Sequence, residues 1–151
     1  MLTAPDHETA TRRREWRLRS LESSLPTLRR ELSALLTTSR LSGDEAYDML
    51  LSVSEAASNA VEHAQHPREP FFCVVAEIDE TTATLTVTVQ DHGTWLPPTP
   101  SAFRGRGLEM MHVLTDTTVE TGVDGTTVTI RNRGDLAAAG PDPSARASQR
   151  R

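Results

Sequence analysis

The stretch SVSEAASNAVEHA (Ser52 to Ala64) sets Glu55, Asn59 and His63 four residues apart within a helical pattern. Four residues advance an α-helix by about 400°, so the three side chains fall along one narrow stripe, on the side away from the helix's apolar residues. Such a stripe is either a solvated face or one wall of a site. As a site, a carboxylate and a carboxamide one turn apart suit a base beside a ligand of a hard cation. Mg²⁺ takes oxygen donors and keeps several of its waters.

Three further places carry chemistry. In ATLTVTVQD, the residues Leu85, Val87, Val89 and Asp91 share one strand face, so an acid continues an inward-facing apolar row. A buried carboxylate needs a partner. Either the backbone of a tight turn at Gly93 supplies it, or a ligand donor such as the exocyclic amine of adenine does. In GRGLEMM, Gly105 and Gly107 precede a helical pattern, flanked by Arg104 and Arg106. Glycine lets backbone amides approach a phosphate there, and a helix N-terminus favours negative charge; a plain loop-to-helix connection is the other reading. The spacing matches neither a P-loop nor a Rossmann fingerprint. In DGTTVTI, Thr126 is in phase with Val128 and Ile130, so its hydroxyl faces inward and needs either a backbone carbonyl or a ligand.

These residues need elements to hold them. A strand is expected near Trp16 to Arg19, and a helix from Ser24 to Ser39, where Leu25, Leu28, Leu32, Leu35 and Leu36 recur at helical spacing. A second helix, Gly43 to His63, carries an apolar stripe through Met49, Val53, Ala57 and Ala60. The strands FFCVVAEI and ATLTVTVQD follow, then a Pro- and Gly-rich loop and the helix LEMMHVLTD. Two last strands, TTVET and GTTVTIR, are joined through GVDG, whose Asp-Gly signals a hairpin. The order β-α-α-β-β-α-β-β predicts an α+β two-layer sandwich, with helices on one face of a mixed, mostly antiparallel sheet. Residues 1–13 and 134–151 read as disordered tails around one domain, 14–133.

Bulk composition narrows the function. Sixteen Lys and Arg against 21 Asp and Glu give a net charge of −5, which does not favour a general nucleic-acid or membrane-surface binder. Cys73 is the only cysteine, so no internal disulfide forms and a structural zinc site is not expected. No apolar run approaches the roughly 20 residues that span a bilayer, and no apolar segment follows the arginines of TRRREW as a signal peptide requires. A reducing, cytoplasmic setting is expected.

In their order, Glu-x-x-x-Asn on a helix, Asp-x-Gly after a strand, Gly-x-Gly opening a helix and Gly-Thr opening the last strand resemble the GHKL ATPase superfamily, over Ser20 to Arg131. Within it, SEAASNAVEHA and GRGLEMMHVLTD look like the small bacterial anti-sigma-factor serine kinases. The resemblance implies a Bergerat-type sandwich holding ATP and Mg²⁺ between helices and sheet. It implies Glu55 as general base, Asn59 as Mg²⁺ ligand and Asp91 as acceptor for the adenine amine, with Gly93 opening the loop beneath. Gly105, Arg106, Gly107 and Leu108 would wrap the phosphates, and Thr126 would support Asp91 at the base. The implied partners are a STAS-domain anti-anti-sigma protein, phosphorylated on serine, and a sigma factor; a homodimer stays open. Trp95 stands where the family's first glycine box has its second glycine, and the lid from Gly93 to Gly105 is short, with Pro97, Pro98 and Pro100. Those departures favour an alternative, a binding module of the same fold without kinase activity; a stand-alone ATPase is a more distant one.

Overall fold

The computed structural model describes residues 11–65, 70–95 and 106–134. Within them the chain runs β1 (Thr11–Arg19), α1 (Ser24–Thr37), α2 (Gly43–His63), β2 (Ala64–Gln65), β3 (Phe71–Asp79), β4 (Thr84–Asp91), β5 (Thr94–Trp95), α3 (Arg106–Leu114), β6 (Asp116–Gly122) and β7 (Gly125–Arg131). Five strands form one sheet in the order β1-β3-β4-β7-β6, and all four pairings are antiparallel. β2 and β5 pair separately, Ala64 opposite Trp95 and Gln65 opposite Thr94. No described helix is long and apolar enough to cross a membrane.

The strand alternation is regular enough to build the core. Val74, Val89 and Val128 stand in one cross-strand row, and Ala76, Val87 and Ile130 in the next. All six are buried. Against this face lie Leu28, Leu32, Leu35 and Leu36 of α1, Met49 and Val53 of α2, and Met111 of α3, in one cluster. Ala56, Ala57 and Ala60 are also buried, and their small side chains keep α2 close to its neighbours. The result is the expected two-layer α+β sandwich, with the residues of the other sheet face mostly half-buried.

Sequence signals also set the helix ends. α1 stops at Thr37 rather than Ser39, because the Thr38 and Ser39 amides bond to Leu35 and Leu36 carbonyls three residues back, at 3.2 and 3.1 Å. Their hydroxyls donate to the same two carbonyls, at 2.8 and 2.7 Å. Such side-chain bonds to the backbone compete with a continuing helix. α2 opens on a reciprocal capping box: the Glu45 amide donates to the Ser42 hydroxyl at 3.2 Å, and the Ser42 amide to the Glu45 carboxylate at 3.4 Å.

One boundary is a correction. β1 begins at Thr11, five residues before the expected strand at Trp16, so Arg12, Arg13 and Arg14 belong to the sheet, the first two in place of the expected tail. Hydropathy hides this strand because it is an edge, where charged side chains are tolerated on both faces. Each arginine meets an acid: Arg12 with Glu80 at 2.6 Å, Arg13 with Glu77 at 3.5 Å, and Arg14 with Glu31 at 3.5 Å. The two short strands β2 and β5 carry no sequence signal of their own. The expectation of tails over residues 1–10 and 135–151 lies outside the described residues.

The β3–β4 turn holds the one described non-glycine residue with a left-handed backbone, Ala83 at φ 52°. It is fastened by Asn132, which donates to the Ala83 carbonyl at 3.0 Å and accepts the Leu85 amide at 2.8 Å. At the other end of the turn, the Thr81 hydroxyl and the amides of Thr81 and Thr82 hold the Asp79 carboxyl below its usual range. A left-handed alanine costs about 1–2 kcal/mol, while glycine loosens the unfolded chain by about 0.4–1 kcal/mol. Ala83→Gly is therefore expected to stabilise the fold by about 0.5–1 kcal/mol in urea unfolding, and a loss of stability would show that Ala83 is not strained.

Candidate active site

The β4–β7 pairing puts Asp91 directly opposite Thr126, in the row after Val89 and Val128. Both continue the inward face, with Asp91 2% and Thr126 1% exposed. Asp91 meets the turn that the sequence allowed for: its Oδ1 accepts the Gly93 amide at 3.0 Å and, at 3.4 Å, the Thr126 amide. The Thr126 hydroxyl is different. It is buried and has no hydrogen-bond partner among the described residues. A buried hydroxyl without a partner costs about 1–3 kcal/mol, so a group at this point with a donor or acceptor to offer would relieve that cost.

Gly125 completes this corner, and the spacing alone did not single it out. Its φ is +128°, a conformation open to glycine, and an added Cβ would overlap the Asp91 carbonyl oxygen and lie 2.9 Å from His92 Cα. The Asp-Gly of the β6–β7 hairpin marked a turn; that the turn presses on the Asp91 backbone depends on register.

The second wall is α2. Asn59 is buried, at 9% exposure, and Glu55 is half-buried. This corrects the expectation that the stripe lies away from the apolar side. α2 packs against α1, the sheet and α3, and α3 meets the polar stripe at Glu55. Neither the Glu55 nor the Asn59 side chain makes a hydrogen bond or ion pair among the described residues. His63 ends α2, and its side chain lies outside the described set.

α3 brings Gly107 onto that wall. A Cβ there would overlap Glu55 Oε1 and lie 2.7 Å from its carboxyl carbon, so the Glu55 carboxylate rests against the first turn of α3. A carboxylate is favoured near the positive end of a helix. Leu108 follows, half-buried and packed on the core. Arg106 opens α3 with its side chain outside the described set, and Gly105, Arg104 and the three lid prolines lie wholly outside it.

The two walls meet through β2 and β5. Ala64 and Gln65 extend α2, and they pair with Thr94 and Trp95 just after Asp91 and Gly93. α2 also packs on β4 and β7. Of the expected residues, Asp91, Gly93 and Thr126 are brought together by hydrogen bonds and the β4–β7 pairing, while Asn59 lies on α2, which packs on both strands. Trp95 is in place as backbone, with its side chain outside the described set. Sequence reasoning missed a further buried cluster of hydroxyls, Ser52, Thr115 and Thr117, between α2 and the end of α3.

The donor set can be weighed against a ligand. Among the described residues no three His, Cys, Asp or Glu side chains cluster as a metal site. One carboxamide beside one carboxylate fits a cation that arrives with its own oxygen ligands, as Mg²⁺ does on phosphates. The unpartnered Thr126 hydroxyl beside Asp91 fits a base with donors and acceptors on its edge.

A family model described as the histidine kinase-like ATPase domain matches residues 18–132. Among solved structures, the RsbU and RsbW domains of Rv1364c from Mycobacterium tuberculosis are similar with a TM-score of 0.67 and 22% identity, covering 82% of this chain and 32% of that one. The histidine kinase domain of a blue-light-activated histidine kinase from Erythrobacter litoralis is similar with a TM-score of 0.50 and 20% identity, over 78% of this chain and 62% of that one. The chain thus spans about a third of the first and under two thirds of the second. At such identities the likeness is one of fold. No curated protein matches the chain in sequence.

The two glycines make a paired test of this geometry. Gly125→Ala meets backbone in a strained conformation and is expected to cost about 2 kcal/mol or more in urea unfolding. Gly107→Ala meets only the mobile end of Glu55 and is expected to cost less than about 1 kcal/mol. The reverse ranking would contradict the placement of β7 against Asp91.

Proposed function

The chain belongs to the histidine kinase-like ATPase family, and from that premise we propose that it is an ATP-dependent protein-serine kinase that also acts as an anti-sigma factor. The observation that carries the reading is the Thr126 hydroxyl, buried beside Asp91 with no hydrogen-bond partner among the described residues, together with the Glu55 and Asn59 side chains on α2, which make no hydrogen bond or ion pair among the described residues. Buried polar groups are nearly always satisfied. A buried hydroxyl that no described residue satisfies is what a polar ligand would complete.

Asp91 would accept the exocyclic amine of adenine, and the Thr126 hydroxyl would bond to the base or to a water between them. Asn59 would hold Mg²⁺ through its amide oxygen. The backbone of Gly105 to Leu108, with Arg106, would wrap the phosphates at the start of α3. Mg²⁺·ATP would supply the transferable phosphoryl group and neutralise charge around it. Glu55 would take the proton from the attacking hydroxyl, and its place against α3 supports that role by keeping the carboxylate at the phosphate end. The hydroxyl would belong to a serine of a STAS-domain anti-anti-sigma protein, and the unphosphorylated partner would compete with a sigma factor for this chain. This second part rests on the resemblance of SEAASNAVEHA and GRGLEMMHVLTD to the anti-sigma-factor kinases. The RsbW domain among the similar structures is in keeping with it.

Trp95, where the family's glycine box has glycine, favours a second reading in the same fold: a binding module that sequesters its partner with little or no transfer. Incubation with labelled ATP and a panel of STAS proteins decides between them. A general base contributes about 10²–10⁴-fold, so Glu55→Gln is expected to slow transfer to serine by at least about 100-fold while ATP affinity stays within a few-fold. Asn59→Ala is expected to remove the Mg²⁺ dependence of binding. Transfer by Glu55→Gln at the wild-type rate would dismiss Glu55 as the base, and ATP binding without transfer to any STAS protein would favour the module.

A further inference from the structure

α3 is too short to fix its own position. Its nine residues make two and a half turns, marginal in isolation. Packing must therefore hold it, and the contacts lie at its middle and its two ends. Met111 is fully buried in the core. Gly107 lies against the Glu55 carboxylate. At the C-terminal end, the Thr115 hydroxyl donates to the Met111 carbonyl at 2.7 Å, shares a hydrogen bond with the Thr117 hydroxyl at 2.9 Å and reaches Ser52 Oγ at 3.4 Å. All three hydroxyl residues are buried.

The place of Ser52 on α2 gives this cluster its meaning. Ser52, Glu55 and Asn59 stand at i, i+3 and i+7, on one stripe. α3 therefore lies on α2 with its C-terminal end at Ser52 and its N-terminal end at Glu55. Packing alone would be served by alanine, as at Ala56, Ala57 and Ala60 of the same helix. A buried hydroxyl is costly unless it is bonded, and the bond Ser52 makes runs to the end of α3.

We propose that Ser52 is a positioning residue: with Thr115 it anchors the far end of α3 and so holds Gly107 and Leu108 in register with Glu55. The inference rests on the reading above, in which Gly107 and Leu108 border the phosphates. Without the Ser52 and Thr115 hydroxyls the Thr115 amide still bonds to the Met111 carbonyl at 2.9 Å, so α3 survives. It keeps the Arg133 guanidinium on the His112 carbonyl at 2.6 Å and loses its polar tie to α2. Asp91 and Thr126 are set by the β4–β7 ladder, so the adenine end is unaffected.

The test compares ATP with adenosine, measured as dissociation constants on folded protein. Ser52→Ala and the isosteric Thr115→Val are expected to weaken ATP about fivefold to tenfold, the size of one lost hydrogen bond, with adenosine unchanged. Thr115→Ser keeps the hydroxyl and is expected to match the wild type, and the double variant to be no worse than Thr115→Val. Equal weakening of ATP and adenosine, an unchanged ATP affinity, or Thr115→Ser behaving like Thr115→Val would overturn the proposal. So would loss of the fold in both Ser52→Ala and Thr115→Val, which would make the cluster a matter of stability. A wild-type protein that binds no ATP would defeat the functional reading itself; wild-type binding with an unaltered ATP-to-adenosine ratio in the variants defeats only the role of Ser52.

Discussion

A carboxylate at the end of a buried apolar strand face is the constraint on which the site depends. Asp91 follows Leu85, Val87 and Val89 on the inner face of β4 and is as buried as they are. Removing a charge from water is expensive unless hydrogen bonds compensate it, and the local structure is arranged to supply them. β4 turns at Gly93 so that its amide reaches Asp91 Oδ1, and β7 pairs so that the Thr126 amide reaches the same oxygen. Gly125 has the positive φ that lets the β6–β7 hairpin approach the Asp91 backbone. The antiparallel register of β4 with β7 thus determines both the burial of the acid and the hydroxyl beside it.

The helical layer depends on that register in turn. α2 packs over β4 and β7, and its buried alanines keep it close to them. Leucine at Ala57 or Ala60 would overpack this layer and separate the two walls. α3 packs on α2 with Gly107 against Glu55, so Glu55 is half-covered although it belongs to a polar stripe. Stability and function share these contacts: the helix that covers the stripe is also the one whose first turn lies at the Glu55 carboxylate.

Much of this was legible in the sequence because it rests on local periodicity. The Leu, Val and Ala spacings gave α1 and α2, alternation gave β3, β4 and β7, and Asp91 and Thr126 stood out as polar residues in apolar phase. What could not be read is non-local. The arginines of β1 look like a tail until Glu31, Glu77 and Glu80 arrive from other elements to pair with them. Two-residue strands carry no period, so β2 and β5 emerge only when α2 and the Gly93 loop meet. A helical wheel places Glu55 and Asn59 away from the apolar stripe, and that α3 docks against Glu55 depends on contacts far apart in the chain. Ser52, Thr115 and Thr117 are separated by up to 65 residues of chain, and single polar residues at such distances give no pattern.

The central claim is that Asp91 and Thr126 form the adenine end of a nucleotide site. Calorimetric titration of the protein with ATP and with GTP, in the presence of Mg²⁺, tests it most directly. Guanine carries a carbonyl where adenine carries its amine, so it would set an acceptor against the Asp91 carboxylate. A hydrogen bond to a charged group is worth about 1.5–3 kcal/mol, and ATP is therefore predicted to bind at least about tenfold more tightly than GTP. Equal affinities for the two nucleotides, or binding of neither, would contradict the account.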